Sequence, residues 1–388
     1  MDFAFTPEQE RIREAVTKLC AQFGDEYWLK KDKEGGFPSE LHQALANDGW
    51  LGIAMPEEHG GAGLGITEAA IMMQAISESG GGFSGASAVH MNIFGLNPVV
   101  VFGTAEQKKR MLPGLIAGKE RACFAVTEPN TGLNTTRLKT KAEKQGGRYI
   151  VSGQKVWIST AQIAEKVLLL ARTTPIEECA RPQDGITLFY TDFDRRHVEV
   201  REIEKMGRKA VDSNQVFFDG LPVPEADRIG EEGRGFEYIL HGMNPERILI
   251  AAELVGLGRC AVARAAKYAK ERIVFDRPIG QNQSIQHPLA AKWMALEAAN
   301  LMAFKAASLY DAGKPCGAEA NAAKYLAGEA CFDACQQAVM TFGGFGYAEE
   351  YHVERYLRES FVGRIAPVSR ELILCFIAER VLGLPKSY

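Results

Sequence analysis

The apolar period of this chain changes twice, and that double change narrows the folds open to it. Up to about residue 120 apolar residues recur at helical spacing, as in Ile12, Ala15, Val16, Leu19 and Phe23. They follow a start, Thr6-Pro7-Glu8-Gln9, with a capping hydroxyl, a first-turn proline and acids behind it. From about 121 to 225 the period drops to two, and 149–153, 166–171, 186–190, 198–200 and 214–218 read as strands. Turn signals such as Gln145-Gly146-Gly147 and Asp219-Gly220 divide them. No long helical pattern interrupts these strands, so they predict an antiparallel sandwich or barrel and argue against a doubly wound sheet. From about 234 helical spacing returns over 236–274, 288–311, 318–342 and 369–381. The last three are rich in Ala and Leu, and helices apolar on more than one side suggest a bundle that also makes subunit contacts. The expected fold is α+β and multidomain: an N-terminal helical domain (1–121), a central antiparallel β-domain (122–232) and a C-terminal helical bundle (233–388).

A chain of 388 residues exceeds one ordinary core, in keeping with two or three domains. A formal net charge of -4, with 24% charged and 46% hydrophobic residues, argues against a nucleic-acid surface and against disorder. Eight cysteines are scattered without a C-x-x-C pair. Cys331 and Cys335 share a helical face, but His352 is the only imidazole near them in sequence, so buried free thiols, a reducing compartment and no metal are expected. The N-terminus has no secretory pattern and no apolar run reaches the roughly 18 residues of a membrane span. A cytoplasmic soluble protein is the expectation. The glycine runs at 58–65 and 80–82 lack the strand before and the Lys-Ser/Thr after that a phosphate loop needs, and both read as flexible loops.

The chemistry-bearing signal is a polar cluster in strand-like sequence: Ala125-Val126-Thr127-Glu128-Pro129-Asn130-Thr131-Gly132, then Lys155-Val156-Trp157-Ile158-Ser159-Thr160. An aromatic wall and short hydroxyl donors are what a planar, hydrogen-bonding cofactor requires. Each piece alone has a plainer reading, since a strand Trp is more often core and Thr-Glu-Pro-Asn-Thr-Gly can be a turn.

Four stretches in order and spacing resemble the acyl-CoA dehydrogenase family of flavoproteins over nearly the whole chain. They are 125–129 with Gly132; 155–159; Glu271-Arg272 through Phe275 to Gln283; and Phe342-Gly343-Gly344-Phe345-Gly346-Tyr347 with Val353-Glu354-Arg355 and Arg358. The resemblance implies FAD as cofactor, an acyl-CoA substrate, an electron-transfer flavoprotein as acceptor, and a homo-oligomer, a tetramer. It implies that Thr127 bonds the flavin pyrimidine edge, that Ser159 reaches N5 where hydride arrives, and that Trp157 packs on the ring. Arg272, Phe275 and Gln283 would hold the pyrophosphate and adenine of a FAD in a neighbouring subunit, with Gly343 and Gly344 approaching phosphate closely because no Cβ intervenes.

The implied reaction removes a proton from Cα and a hydride from Cβ of an acyl thioester, leaving a trans double bond. It needs a carboxylate base whose pKa is raised by excluding water. Many members carry this base in a Glu-Gly-Thr segment near the C-terminus, where this chain has Pro367, Val368 and Ser369. Pro367 cannot act as a base, whereas Ser369 keeps a hydroxyl that could contact the cofactor. A branch that includes the isovaleryl-CoA and long-chain enzymes takes the base from an earlier helix, which matches Met243-Asn244-Pro245-Glu246-Arg247 and points to Glu246. Arg247 would orient the site or substrate. Pro245 either starts a helix capped by Asn244 or kinks a longer one. A first-turn Glu would feel the helix dipole favouring its charged form against desolvation; the plain alternative is a surface Glu–Arg pair. Leu133-Asn134 replaces Ser-Asp and makes the lining more apolar. Met340 stands for a Gln, and Asp276 for a Gly. Rival readings are an oxidase or monooxygenase of the same fold, and a non-catalytic acyl-CoA-binding protein.

Overall fold

The computed structural model describes residues 3–90 and 95–387. Among the described residues seven helices come first: α1 (Pro7–Cys20), α2 (Asp25–Glu34), α3 (Ser39–Asn47), α4 (Ile66–Ile76), α5 (Gly82–His90), α6 (Asn97–Phe102) and α7 (Ala105–Ile116). At the start of α1 the Thr6 hydroxyl accepts from the Gln9 amide while the Gln9 side chain accepts from the Thr6 amide, so two otherwise orphan donors are satisfied. Ile12, Val16 and Leu19 then face the core, whereas Ala15 is exposed.

Eight strands follow: β1 (Ala122–Ala125), β2 (Lys141–Gln145), β3 (Arg148–Ser159), β4 (Lys166–Arg172), β5 (Ile186–Asp192), β6 (Val198–Glu202), β7 (Ser213–Pro224) and β8 (Arg228–Ile229). They form one sheet in the order β6-β7-β3-β2-β4-β5-β8, with β1 on β4. The antiparallel expectation is met by most pairs, but β1 runs parallel to β4 and β2 meets β4 in parallel at one position. The chain leaves β1 by a long loop and returns to β4 only after the β2–β3 hairpin, so no tight turn enforces the antiparallel sense. Both faces of β4 are buried: Val167 and Leu169 join the core of the sheet's outer strands, while Leu168 and Leu170 pack against α6 and α7 through Val99, Met111 and Leu115.

The C-terminal part contains α8 (Gly235–His241), α9 (Met243–Glu271), a hairpin of β9 (Ile273–Val274) and β10 (Arg277–Pro278), α10 (Gln283–Asp311), α11 (Gly317–Phe342), α12 (Val353–Ser360), α13 (Val362–Ile365) and α14 (Arg370–Phe376). The single helix expected over 236–274 is therefore two helices and a strand. Gly242 separates α8 from α9, and Arg272 turns extended at ψ 114°. Gly242 caps α9 in place of Asn244, and Pro245 sits in its first turn. The helix expected from 288 begins at Gln283, with Pro288 inside it.

The glycine run at 80–82 is a correction. It is a kink inside a buried helical run, with Gly80 at φ 101° and Gly82 at φ 58°. The Gly80 carbonyl accepts from Arg355 Nη2 at 2.6 Å, and the Phe83 amide donates to Glu359 at 2.8 Å. A Cβ on Gly82 would lie 2.6 Å from that carboxylate. Arg355 and Glu359 pair with each other at 3.0 Å, fully buried. The N-terminal and C-terminal helices thus share a core, in which Ile71, Ile76 and Ala86 pack with Ile248, Leu249 and Ala307.

Candidate active site

Two buried features set the β-domain side of the site. Lys155, wholly buried in β3, donates to the Val126 carbonyl and to Glu128 Oε1, both at 3.0 Å. Glu128 in turn accepts from the Lys139 and Thr140 amides at 2.6 and 2.8 Å and from the Thr140 hydroxyl at 2.6 Å. Burial opposes charge on Glu128, but Lys155 and these donors overrule it and hold the carboxyl below its usual range. This pair pins the loop after β1 onto β3, and the Val156 amide donates to the Thr127 carbonyl at 2.9 Å. Thr127 and Trp157 are thereby neighbours.

Between Lys155 and Ile158 the β3–β7 register slips, and Trp157 sits in this bulge at φ 62°. A bulky residue in the left-handed region is strained, and here the bulge turns the indole outward, 59% exposed. The Ser159 hydroxyl accepts from Arg208 Nη2 at 3.0 Å. Arg208 also donates to Ser87 and Ser213, at 3.1 and 3.3 Å, and so joins α5, β3 and β7. Leu133 lies on the exposed loop beyond Gly132.

Glu246 occupies the first turn of α9 and is 2% exposed. Burial pushes its carboxyl up to about 7, against the opposing pull of His90, Arg247 and Lys324. The surface ion pair is thus excluded by burial. His90 Nε2 stands 3.8 Å from Glu246 Oε1, and its Nδ1 is 2.6 Å from Glu253 Oε1. Arg247 folds back onto the Met243 carbonyl at 3.1 Å and Asn244 Oδ1 at 3.4 Å. Lys324 of α11, pushed down to about 8 by burial, donates to the Val368 carbonyl at 2.6 Å. It links the surroundings of Glu246 to the 367–369 segment. Ser369 caps α14, its hydroxyl accepting from the Leu372 amide at 3.3 Å.

A second constellation lies at the other end of α9. Phe275 and Asp276 are the two central residues of the β9–β10 hairpin, at φ 52° and 62°. Both values positive is the primed turn that matches strand twist, which explains why glycine suits position 276 and why Asp is tolerated there. Phe275 is 94% exposed at the tip. Arg272, Gly343 and Gly344 line one open pocket of about 530 Å³ with Tyr268, Phe342 and Phe345, and the Arg272 guanidinium is 5.7 Å from the Phe345 ring. Gly343 has φ 61°, and a Cβ at Gly343 or Gly344 would meet nothing within 4 Å, so the cradle is open. Gln283 is exposed at the start of α10, outside that pocket. With 1.5 Å per residue, α9 separates Glu246 from Arg272 by about 39 Å.

These features fit a flavin dinucleotide: an outward indole beside short hydroxyls, a buried Thr131 hydroxyl with no hydrogen-bond partner among the described residues, and a glycine cradle beside an exposed guanidinium. Sequence reasoning missed Arg208, Lys324, His90 and Glu253, and quoted Lys155 within its motif without giving it a role. For His90, Glu253 and Lys324 the signal was a charged or imidazole side chain within a run otherwise apolar enough to be buried, whereas Lys155 and Arg208 carried no such local mark. The cysteines are all free, with Cys331 and Cys335 buried 4.0 Å apart. Among the described residues there is no cluster fit for a metal ion, and no helix long and apolar enough to cross a membrane.

Comparison with known proteins gives the family. The N-terminal, middle and C-terminal domains of acyl-CoA dehydrogenase match residues 6–119, 123–221 and 233–382. The acyl-CoA dehydrogenase FadE12 of Mycobacterium tuberculosis (strain ATCC 25618 / H37Rv) is 38% identical over 392 residues, covering 100% of this chain and 99% of that protein. Butyryl-CoA dehydrogenase from Megasphaera elsdenii superposes with a TM-score of 0.93 at 28% identity, over 98% of this chain and 100% of that one. The FAD complex of PigA does so at 0.92 and 26%, over 99% and 100%. The chain belongs to the acyl-CoA dehydrogenase family, and it is a flavoprotein oxidoreductase that uses FAD to dehydrogenate an acyl-CoA.

Proposed function

We propose that the chain converts a saturated acyl-CoA thioester into its trans-2-enoyl-CoA, with Glu246 taking the Cα proton. The observation that carries this reading is the burial of Glu246 in the first turn of α9 with its carboxyl raised to about 7. A base with a pKa near the working pH is ionised enough to act and strong enough to remove a weakly acidic proton. Bound FAD supplies the two-electron acceptor for the hydride leaving Cβ. Arg247 orients the thioester end of the site, and Leu133 adds apolar surface to the acyl channel.

Thr127, Trp157, Ser159 and Ser369 hold the flavin end of the cofactor, and Arg272, Phe275, Gln283, Gly343 and Gly344 its diphosphate and adenine end. About 39 Å of helix between Glu246 and Arg272 is longer than an extended dinucleotide. This supports a cofactor whose two ends are gripped by different copies of the chain, and hence a homo-oligomer, a tetramer. Exposed Trp293, Met294 and Leu301 on α10 supply apolar surface for such contacts. An electron-transfer flavoprotein takes the electrons onward. Eight free cysteines support a reducing compartment, the cytoplasm. The chain divides at 121 and 232 into helical, β and helical segments.

The test is anaerobic titration of the purified yellow protein with a panel of saturated acyl-CoAs, repeated with Glu246→Gln. Bleaching by a chain-length subset, lost in the variant, is expected. Bleaching by no acyl-CoA would sink the reading, and rapid reoxidation of the reduced flavin by air would replace the flavoprotein acceptor with oxygen.

A further inference from the structure

Glu253 is a carboxylate in the apolar middle of α9, between Ala252 and Leu254, with no exposure to solvent. A buried carboxylate persists only where something compensates it. Among the described residues its hydrogen-bond partner is His90, whose Nδ1 lies 2.6 Å from Oε1, a charge-assisted length. The ring's other nitrogen, Nε2, is 3.8 Å from Glu246 Oε1. Glu246 and Glu253 are seven residues apart, two turns on one helical face, about 10 Å along the axis, and the imidazole of α5 stands between them.

We propose that His90, gripped by Glu253, is a positioning residue that stands as an imidazolium beside Glu246 and keeps that carboxylate ionised for proton removal. The inference rests on Glu246 as the base. Among the described residues the charged groups facing the ring are Glu246 and Glu253 from α9 and Arg208 from the β6–β7 connection. Burial and Arg208 disfavour charge on His90, but the two carboxylates prevail and its pKa lies above the usual imidazole value. Around Glu246 burial is the largest influence and raises its pKa. His90 is the foremost opposing charge, ahead of Arg247 and Lys324, and Glu253 acts with burial. The Nδ1 contact also fixes which edge of the ring meets Glu246. Loss of the imidazolium therefore moves the Glu246 titration to higher pH. A purely structural imidazole would not do this.

The experiment follows the rate of anaerobic flavin reduction in the holoenzyme, by stopped flow at saturating acyl-CoA across pH, for wild type, His90→Asn, Glu253→Gln and Glu246→Gln. Flavin content and melting temperature are recorded for each. In His90→Asn the midpoint of the low-pH limb is expected to rise by about one unit, about a tenfold loss of ionised base well below the limb. An unmoved or lowered midpoint, whatever the height of the profile, overturns the inference. Glu253→Gln is the second variant should His90→Asn fail to hold flavin. Losing that carboxylate directly lowers the midpoint, while discharging the nearer imidazole raises it. A net rise supports the proposal and a fall overturns it. Glu246→Gln separates the two readings. If it reduces flavin as fast as wild type, the base assignment has failed. If it is inactive while the His90→Asn midpoint stays put, only the role of His90 has.

Discussion

The two ends of α9 are built on opposite plans. At its start Glu246 is enclosed by α5, α9 and α11 of its own chain, with three cationic or imidazole side chains around it and almost no exposure. At its finish Arg272, Phe275 and Gln283 stand in solvent on a short hairpin and the next helix, next to an open glycine cradle. Exclusion of water governs the first end, because shifting a carboxyl pKa requires low dielectric. The second end suits recognition of a polyanion, because a guanidinium and bare backbone grip phosphate without being buried first. The chain encloses its candidate base with its own helices and leaves the Arg272 end open to solvent, which is the asymmetry that the proposed sharing of the cofactor between copies rests on.

Glu246→Gln probes the contrast most severely. Flavin reduction by acyl-CoA is expected to fall by about 10²–10⁴-fold with flavin content unchanged; a small effect would erase the distinction between the two ends. The same variant carries a stability signature of opposite sign. The folded-state pKa is raised from 4.5 to about 7, so the folded state binds more protons between those values and stability falls as pH rises through that window. Above pH 7 the charged, buried Glu246 therefore weakens the fold, and Glu246→Gln is expected to melt higher than wild type there, a difference on the order of 3 kcal/mol, with the gain gone below pH 4.5. Thermal melts at pH 4 and 8 check both halves.

Lys155→Met leaves Glu128 buried without its cation. A loss of about 3–5 kcal/mol is expected, read as a lowered denaturant midpoint together with flavin loss. Arg272→Ala touches only the open end. FAD binding should weaken about 10–150-fold, the worth of charge-assisted hydrogen bonds, while the reduction rate per bound flavin stays near wild type. Equal damage to both quantities would show that the ends are not independent. Smallest is Asp276→Gly, which relieves the left-handed backbone in the hairpin and should change stability by about 1 kcal/mol or less in a melting curve.

Much of this architecture was legible in the sequence because it rests on local periodicity. The strands of the β-domain and the long helices α10 and α11 follow from alternation and from Ala-rich helical spacing. Glu246 was reachable because its neighbours Pro245 and Arg247 fit a recognisable segment. The rest depended on contacts between distant residues. Nothing local distinguishes Lys155 in a strand from an ordinary surface lysine, and its partner Glu128 lies 27 positions away. The kink at Gly80–Gly82 reads as a loop until Arg355, 275 positions later, supplies its donors. The parallel β1–β4 pairing likewise arises from how the chain returns, which strand composition does not encode.

That same clasp dictates a schedule for synthesis. Gly80 and Phe83 leave the ribosome some 275 residues before the arginine and glutamate that saturate them. At 5–20 residues per second this is a wait of roughly 15–55 s. During that interval the kink between α4 and α5 lacks the Arg355 and Glu359 contacts that satisfy it, although α1 and then α9 already cover the apolar faces of α4. A helix made near the end of the chain, α12, thus completes the hydrogen bonding of helices made near its start, so the N-terminal helices reach their final form only after most of the chain has been synthesised.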